Sequence, residues 1–183
     1  MVPDALYHYY EQSRGPFRNL SDLLQDEAEA VMVLLRQQRD GFASERNADY
    51  IAVRRELEDR VRQRFIAKGG QPQRERPHYM TVGACEWVKG WYTHGCALSI
   101  LLTRFTPEQV SFTYGDLFPA MRYGDGKPYR QQVYTLPELP ELIATYDLPQ
   151  VWNADGRQGP DRYIEAQIWD DAPLSAYRAS VSR

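Results

Sequence analysis

Three short segments that are far apart along the chain carry the polar side chains best suited to chemistry. Tyr163, Glu165 and Gln167 alternate with apolar residues, which places a carboxylate and an amide together on the polar face of one strand. His8 lies between two tyrosines near the amino terminus, and Tyr79 lies near the start of another strand-like segment. If these three strands are neighbours in a sheet, their polar side chains form the floor of one cleft.

An α+β arrangement must position these residues. Aromatic residues before a turn signal predict a first strand over 5–10, and apolar residues at helical spacing predict helices over 26–38 and 47–68. Later strands are predicted over 78–82, 96–102, 110–114 and 163–169, and later helices over 86–92 and 137–146. We therefore predict one domain over 1–183, with a mixed or mostly antiparallel, possibly split sheet. A two-helix insertion at about 21–70 follows the first strand.

Two further regions lead to expectations about polar residues. The second helix carries an outer face with charges of both signs, Arg54 and Glu58 among them, and such a mixture is typical of a solvated face. The segments 114–129 and 153–160 are rich in Gly, Pro and Asp and are predicted to be elaborate loops. Within the first of them, Asp116 either closes a tight turn by accepting backbone N–H bonds or belongs to a substrate loop.

Composition excludes several classes of protein. The chain has 183 residues, 43% of them hydrophobic, and a net charge of −3, which provides no field that would attract nucleic acid or an anionic membrane. It has no apolar run of transmembrane length, and Cys85 and Cys96 are its only cysteines. The first residues lack the basic and apolar regions of a signal peptide, so we expect none. We expect a cytoplasmic protein with free thiols. A Walker-type phosphate loop, a nucleophile elbow and a compact zinc motif are all missing from the sequence.

The three chemistry-bearing segments resemble the ADP-ribosyltransferase superfamily. Residues 6–9 (Leu-Tyr-His-Tyr) look like its opening strand, and residues 77–81 (Pro-His-Tyr-Met-Thr) look like its central Tyr segment. Residues 165–169 (Glu-Ala-Gln-Ile-Trp) look like its late Glu-bearing strand, so the resemblance covers most of 5–175. The chain also resembles a bacterial family of unassigned function that shares stretches such as Tyr-His-Tyr-Tyr-Glu.

This resemblance implies an NAD-binding ADP-ribosyltransferase fold and activity. It implies that His8 hydrogen-bonds the nicotinamide ribose, that Tyr79 stacks on the nicotinamide ring and that Glu165 stabilises the cationic sugar. A carboxylate at that position provides electrostatic stabilisation where charge develops. Tyr9 and Gln167 complete the implied NAD site. Many protein-modifying members carry Gln or Glu two residues before the catalytic Glu, whereas Gln167 follows Glu165, and no acceptor is assigned.

Two other functions stay open from the residues themselves. In a non-catalytic binding domain, His8 would be a hydrogen-bonded structural histidine and Tyr79 a half-buried strand aromatic. Glu165 would then pair with a basic residue on an adjacent strand. In a metal-dependent hydrolase, Asp116, Asp125 and Glu165 would hold a divalent cation.

Overall fold

A computed structural model describes residues 1–38, 47 and 49–179 and shows an α+β fold built on a six-stranded sheet. The strands are β1 Ala5–Glu11, β2 His78–Val82, β3 Gly95–Leu101, β4 Val110–Tyr114, β5 Tyr134–Thr135 and β6 Ile164–Ile168. The helices are α1 Gln25–Gln38, α2 Tyr50–Ala67, α3 Glu86–Lys89, α4 Leu117–Arg122, α5 Leu139–Tyr146, α6 Pro149–Trp152 and α7 Ser175–Ala179. As predicted, two helices separate β1 from β2.

The strand order is β3-β1-β2-β6-β4-β5, and every neighbouring pair is antiparallel. The sequence predicts a mixed or mostly antiparallel, possibly split sheet, and the structure shows one antiparallel sheet. The order puts β6, the last strand, which carries Glu165, between β2 and β4, although more than 80 residues separate it from β2 in sequence.

One face of the sheet is apolar and forms the larger core. Alternate residues of the central strands, including Leu6, Met80, Phe112 and Ile168, are almost completely buried on this face. Apolar residues of α5, such as Leu142, pack against them. Continuous burial of this kind requires apolar residues at every second position, which the strands provide.

The opposite face of the sheet is polar and is covered by α2 and α4. Leu57, Val61 and Phe65 of α2 pack with Leu117 of α4 and with Trp169, which follows β6. The polar residues of β4 and β6 on this face, Ser111, Thr113, Glu165 and Gln167, are therefore buried beneath helices, and each of them needs a hydrogen-bond partner.

The strands β1 and β2 diverge shortly after they meet. They pair at Leu6–Val82 and Tyr7–Thr81, whereas β1 continues to pair with β3 along its whole length. Beyond Tyr7 a side chain, His8, bridges the two strands instead of a backbone ladder. This divergence creates space at the amino-terminal end of β2.

The predicted loop over 114–129 contains a helix that the sequence pattern did not reveal. Asp116 is the N-cap of α4, and its Oδ1 accepts a 2.8 Å hydrogen bond from the Phe118 N–H. An N-cap aspartate satisfies an amide that would otherwise lack a partner, so the six-residue helix forms despite its low apolar periodicity. The strand β5 and the helix α6, which are even shorter, were also not predicted.

Candidate functional site

A cleft of about 1070 Å³ lies where β1 and β2 diverge. Its walls include the rings of Tyr10, Tyr50, Trp91 and Phe118. The cleft is also lined by five arginines and four acidic residues, namely Arg14, Arg18, Arg54, Arg74, Arg178, Glu11, Asp22, Asp116 and Glu165. Arginines therefore outnumber acids at the cleft, although the chain as a whole has a net charge of −3.

Two carboxyl groups share one tyrosine hydroxyl at the floor of the cleft. The Tyr163 Oη lies 3.1 Å from Asp116 Oδ2 and 3.3 Å from Glu165 Oε2. A phenol has one hydrogen and can donate to only one of these oxygens. The second contact is a hydrogen bond only if that carboxyl group is protonated and donates to the phenol oxygen. The geometry therefore favours one proton on the pair of carboxyl groups.

The electrostatic environment assigns that proton to Glu165. The side chain is 5% exposed, and burial raises the pKa of Glu165 well above its usual value, with the Asp116 charge as the next largest cause. The hydrogen bond from Gln167 and the charge of Arg54 act in the opposite direction but are weaker. Burial also raises the pKa of Tyr163, so its hydroxyl keeps its hydrogen. Burial beside the Asp116 charge therefore favours the protonated form of Glu165.

A chain of hydrogen bonds on the polar face holds Glu165 in position. Gln167 Nε2 donates to Glu165 Oε1 at 3.2 Å and to Thr113 Oγ1 at 2.9 Å. The Ser111 hydroxyl donates to Gln167 Oε1 at 2.9 Å and accepts a bond from Trp169 Nε1. Gln167, which the family resemblance assigns to NAD binding, is fully buried, and the cleft is lined by other residues. Its position suits a role in orienting Glu165.

Tyr79 lies on the same face as Glu165 but is engaged by helix α2. Its hydroxyl donates a 2.7 Å hydrogen bond to Glu58 Oε1, and the Arg54 guanidinium lies 4.7 Å from its ring centroid. Burial raises the pKa of Tyr79 well above its usual value, and the Glu58 charge adds to this. One face of the ring is thus covered by a cation, and stacking of a ligand is confined to the rest of the ring.

The expectation that the charged face of α2 is solvated is wrong for Arg54 and Glu58. Glu58 is fully buried, and its Oε1 also accepts hydrogen bonds from Ser21 Oγ at 2.8 Å and Arg54 Nε at 2.9 Å. Arg54 further donates to Asn19 Oδ1 at 2.9 Å. Helical spacing alone did not reveal this, because a buried ion pair and a surface pair have the same i,i+4 signature.

His8, Tyr79 and Glu165 all line the cleft, but the His8 side chain leaves the sheet on the face opposite to the other two. The β1 alternation puts His8 on the face of Leu6, where its ring stacks on Phe17 at a centroid distance of 4.3 Å. Its Nε2 accepts the Phe17 N–H at 2.9 Å, and its Nδ1 therefore carries the hydrogen that is donated to the Tyr79 carbonyl at 2.9 Å. Burial lowers the pKa of His8 to about 4. Both nitrogens are bonded to backbone groups, as in the structural alternative.

Tyr9, the last residue of the implied NAD site, also serves the fold in this structure. It is buried, and its hydroxyl accepts a 2.6 Å hydrogen bond from the Cys85 N–H. Cys85 is buried and Cys96 is half-buried, and both are free thiols.

The three acids of the metal-dependent alternative do not meet. Asp125 pairs with Arg130 at 2.9 Å, and Arg130 also contacts the buried Asp161 at 2.6 Å, in a cluster apart from the Tyr163 bridge. Within the ranges that the structure describes, no group of three or more His, Cys, Asp or Glu side chains could hold a metal ion. The expectation of a site built from Asp116, Asp125 and Glu165 is therefore wrong. Asp125 and Asp161 form ion pairs with Arg130 and Lys127, which connect the loop after α4 to the loop before β6.

Sequence reasoning placed Tyr163 on the same strand face as Glu165, and it grouped Asp116 with Glu165 only in the metal-dependent alternative. Tyr163 was visible from its alternation with Glu165, whereas Asp116 comes from a different strand end and only the β4–β6 pairing brings it close. Comparison with protein-family models, with curated proteins and with solved structures finds no match for this chain. Among the residues that the structure describes, no helix is sufficiently long and apolar to cross a membrane. The cleft geometry therefore provides the evidence on function.

Proposed function

We propose that the chain is an ADP-ribosyltransferase-like protein that binds NAD in the cleft and breaks its bond between nicotinamide and ribose. The observation that carries this proposal is the pair of carboxyl groups, Glu165 and Asp116, bridged by the Tyr163 hydroxyl at the floor of the cleft. Enzymes that cleave glycosidic bonds commonly use a pair of carboxyl groups at the reacting carbon. The resemblance of residues 6–9, 77–81 and 165–169 to the ADP-ribosyltransferase superfamily implies the same chemistry.

The cleft walls support a dinucleotide as the substrate. Aromatic rings can stack on a base or on nicotinamide, and arginines recognise phosphate oxygens. Among the five lining arginines, Arg54 lies between the rings of Tyr79 and Tyr50. A volume of about 1070 Å³ is at the upper end of the range for small-molecule sites, as a ligand with two nucleotide halves requires.

The proposed reaction begins with departure of nicotinamide. The bond between ribose C1′ and the ring nitrogen breaks, its electron pair goes to the nitrogen, and neutral nicotinamide leaves. Positive charge then develops on the ribose, and ionised Glu165 stabilises it. Water or another nucleophile forms the new bond to C1′ and gives its proton to Asp116, the carboxylate on the other side of Tyr163.

Glu165 must lose its proton to play this part, and the substrate itself provides the cause. The nicotinamide ring of NAD carries a positive charge, and an opposite charge close to a buried carboxyl group favours its ionised form. Binding of NAD should therefore release a proton from Glu165. The reduced dinucleotide has a neutral ring and should bind without this release.

Only some of the residues that the resemblance implies as NAD contacts keep that role in the proposed complex. Tyr79 is retained as a stacking residue, on the part of its ring that Arg54 leaves uncovered. His8 and Gln167 are assigned structural roles, because their polar atoms are bonded within the protein. NAD binding then depends on the aromatic rings and arginines of the cleft more than on the His8 imidazole.

Nicotinamide release from NAD tests the proposal directly. The 183-residue chain should release nicotinamide, and NAD at a hundred times its dissociation constant should stabilise the fold by about 2.7 kcal/mol. Glu165→Gln keeps the hydrogen bonds of the protonated acid but cannot ionise, so release should fall by about a hundredfold or more while binding persists. Asp116→Asn keeps the helix cap and should slow the transfer step.

The matched control is Glu56→Gln, because Glu56 is an exposed glutamate of α2 whose loss should change neither binding nor release. Calorimetry in two buffers of different ionisation enthalpy measures the proton released by NAD and its absence with the reduced form. The proposal fails if millimolar NAD neither shifts the melting curve nor yields nicotinamide.

A second candidate is a non-catalytic binding domain, and one observation favours it. The hydroxyl of Tyr79 and the guanidinium of Arg54 are already bonded to Glu58, so these groups stabilise the closed polar face without a ligand. In that case NAD or another ligand with a ring and an anionic group would bind without turnover. Glu165→Gln would then leave every measured property of the ligand complex unchanged.

A further inference from the structure

The two edges of the sheet differ in length and in protection. One edge is β5, which has two residues and offers few free backbone groups. The other edge is β3, which has seven residues and pairs with β1 at each of them. In an antiparallel strand with one paired edge, alternate residues direct their N–H and C=O groups to the other edge. The outer edge of β3 is therefore a row of donors and acceptors.

This edge lacks the features that normally prevent strands from pairing. Its sequence is Gly-Cys-Ala-Leu-Ser-Ile-Leu, without a charge or a proline, and its continuous register with β1 leaves no bulge. Ala97, Ser99 and Leu101 are exposed, Leu101 to 52%. Within the described residues, no strand pairs with the outer side of β3. Long, neutral and regular edges of this kind are interaction sites.

We propose that β3 pairs antiparallel with β3 of a second copy of the chain, so that two sheets join into one across a two-fold axis. Identical copies in a two-fold dimer present the same surface to each other, and an antiparallel strand edge is complementary to itself under that rotation. The occupant of the edge is thus a second copy of this protein.

The residues of β3 favour self-pairing over pairing with a charged partner strand. When the axis passes near Leu98, each Ala97 lies opposite Ser99 of the second copy, and each Cys96 lies opposite Ile100. All cross-strand neighbours are then small or apolar, and no like charges meet. The alternation is also preserved across the interface, so Leu98 and Ile100 stay on the apolar side of both sheets.

This interface is independent of the cleft. Two strands, β1 and β2, separate β3 from β6, which carries Glu165. Pairing at β3 should therefore leave the cleft accessible, and a variant that prevents it should not change NAD binding.

Analytical ultracentrifugation of the full chain over a wide concentration range tests the proposal. The mass should rise from 21.3 kDa towards twice that value. Ala97→Lys puts a charge on the exposed side of the edge and should hold the protein at the monomer mass. Ala52→Lys introduces the same charge at an exposed position of α2 and should dimerise like the wild type. Ser99→Lys tests the edge a second time.

Hydrogen exchange on the wild type provides a measurement that needs no variant. The backbone amides of 95–101 should exchange more slowly as the chain concentration rises, while those of β5 should not change. A mass of 21.3 kDa at every concentration, or equal dimerisation of Ala97→Lys and Ala52→Lys, would refute the β3 interface. Concentration-independent exchange over 95–101 would refute it as well.

Discussion

Burial shifts the pKa values of two titratable residues of this fold in opposite directions, and in both it favours the neutral form. Burial raises the pKa of Glu165 and so disfavours its carboxylate, and it lowers the pKa of His8 to about 4. The difference in role follows from the neighbours. Glu165 faces the cleft beside Asp116 and can be ionised by a cation, whereas both nitrogens of His8 are bonded to backbone groups.

His8 makes acid sensitivity a testable property. Its folded pKa of about 4 is lower than the ordinary value of 6.5, so the unfolded chain binds the proton more tightly and stability is lost as pH falls through this window. His8→Gln can still donate and accept a hydrogen bond but does not titrate. Between pH 7 and pH 4 its unfolding free energy should therefore fall less than that of the wild type, by on the order of 3 kcal/mol. Urea unfolding at several pH values measures this.

His94→Gln is the control, because it makes the same substitution at an exposed histidine. His78, which burial shifts in the same direction, is present in all three proteins and cancels in the comparison. Parallel pH profiles for wild type and His8→Gln would show that His8 is not the buried neutral base inferred from its contacts.

At the scale of elements, α2 determines what the polar face of the sheet can do. One carboxylate oxygen of Glu58 accepts hydrogen bonds from α2 itself, from Tyr79 on β2 and from Ser21 before α1. Arg54 depends on this carboxylate for charge compensation and also forms part of the cleft wall. Packing of α2 thus couples the stability of the fold to the electrostatics of the cleft.

Glu58→Gln tests this coupling. The amide keeps the shape of the side chain but leaves the Arg54 charge buried without a counter-charge, so the unfolding free energy should fall by on the order of 3 kcal/mol. Glu56→Gln, on the same helix, breaks an exposed i,i+4 pair with Arg60 and should cost less than about 1 kcal/mol. Chemical denaturation of both proteins compares them. Adding Arg54→Met to Glu58→Gln should restore part of the loss, and equal costs for the two single variants would contradict the buried role.

At the scale of the whole molecule, the floor of the cleft is assembled from distant loops. Gly115 follows β4 with a φ of +96°, and a Cβ there would lie 2.8 Å from Asp161 Oδ1, in the loop before β6. Asp161 is fully buried and is held by Arg130, Lys127 and the Tyr129 hydroxyl. These contacts hold Gly115 and Asp161 close together, and so they position the neighbouring residues Asp116 and Tyr163.

Gly115→Ala should therefore destabilise the fold strongly. Positive φ alone costs about 1 kcal/mol for alanine, and the contact with Asp161 should raise the total above roughly 2 kcal/mol. Gly126→Ala is the matched control, because Gly126 also has a positive φ, +77°, but its Cβ would meet no atom within 4 Å. Thermal unfolding of the two variants separates the strain of the backbone from the clash. Equal melting temperatures would mean that the Asp161 contact adjusts freely.

Local periodicity was sufficient to predict most individual elements. The strands predicted over 78–82 and 110–114 match β2 and β4, and the alternation that puts Tyr163, Glu165 and Gln167 on one face is also observed. These properties depend on a few consecutive residues, because side chains of a strand alternate with a period of two whatever its neighbours are. Only the shortest elements, such as α4 with its Asp116 cap, had too little pattern to be predicted.

The tertiary structure decided which of these residues meet. Pairing of β6 with β4 brings Asp116 close to Glu165. Packing of α2 buries Glu58, although the sequence pattern of that helix face is typical of a surface. The register of β1 puts the His8 side chain on the sheet face opposite to Glu165. Each outcome depends on strand order and helix placement, which result from the burial of apolar area over the whole chain. A single sequence records which residues are apolar and at what spacing, but many pairings of the same strands satisfy that pattern, and only packing selects among them.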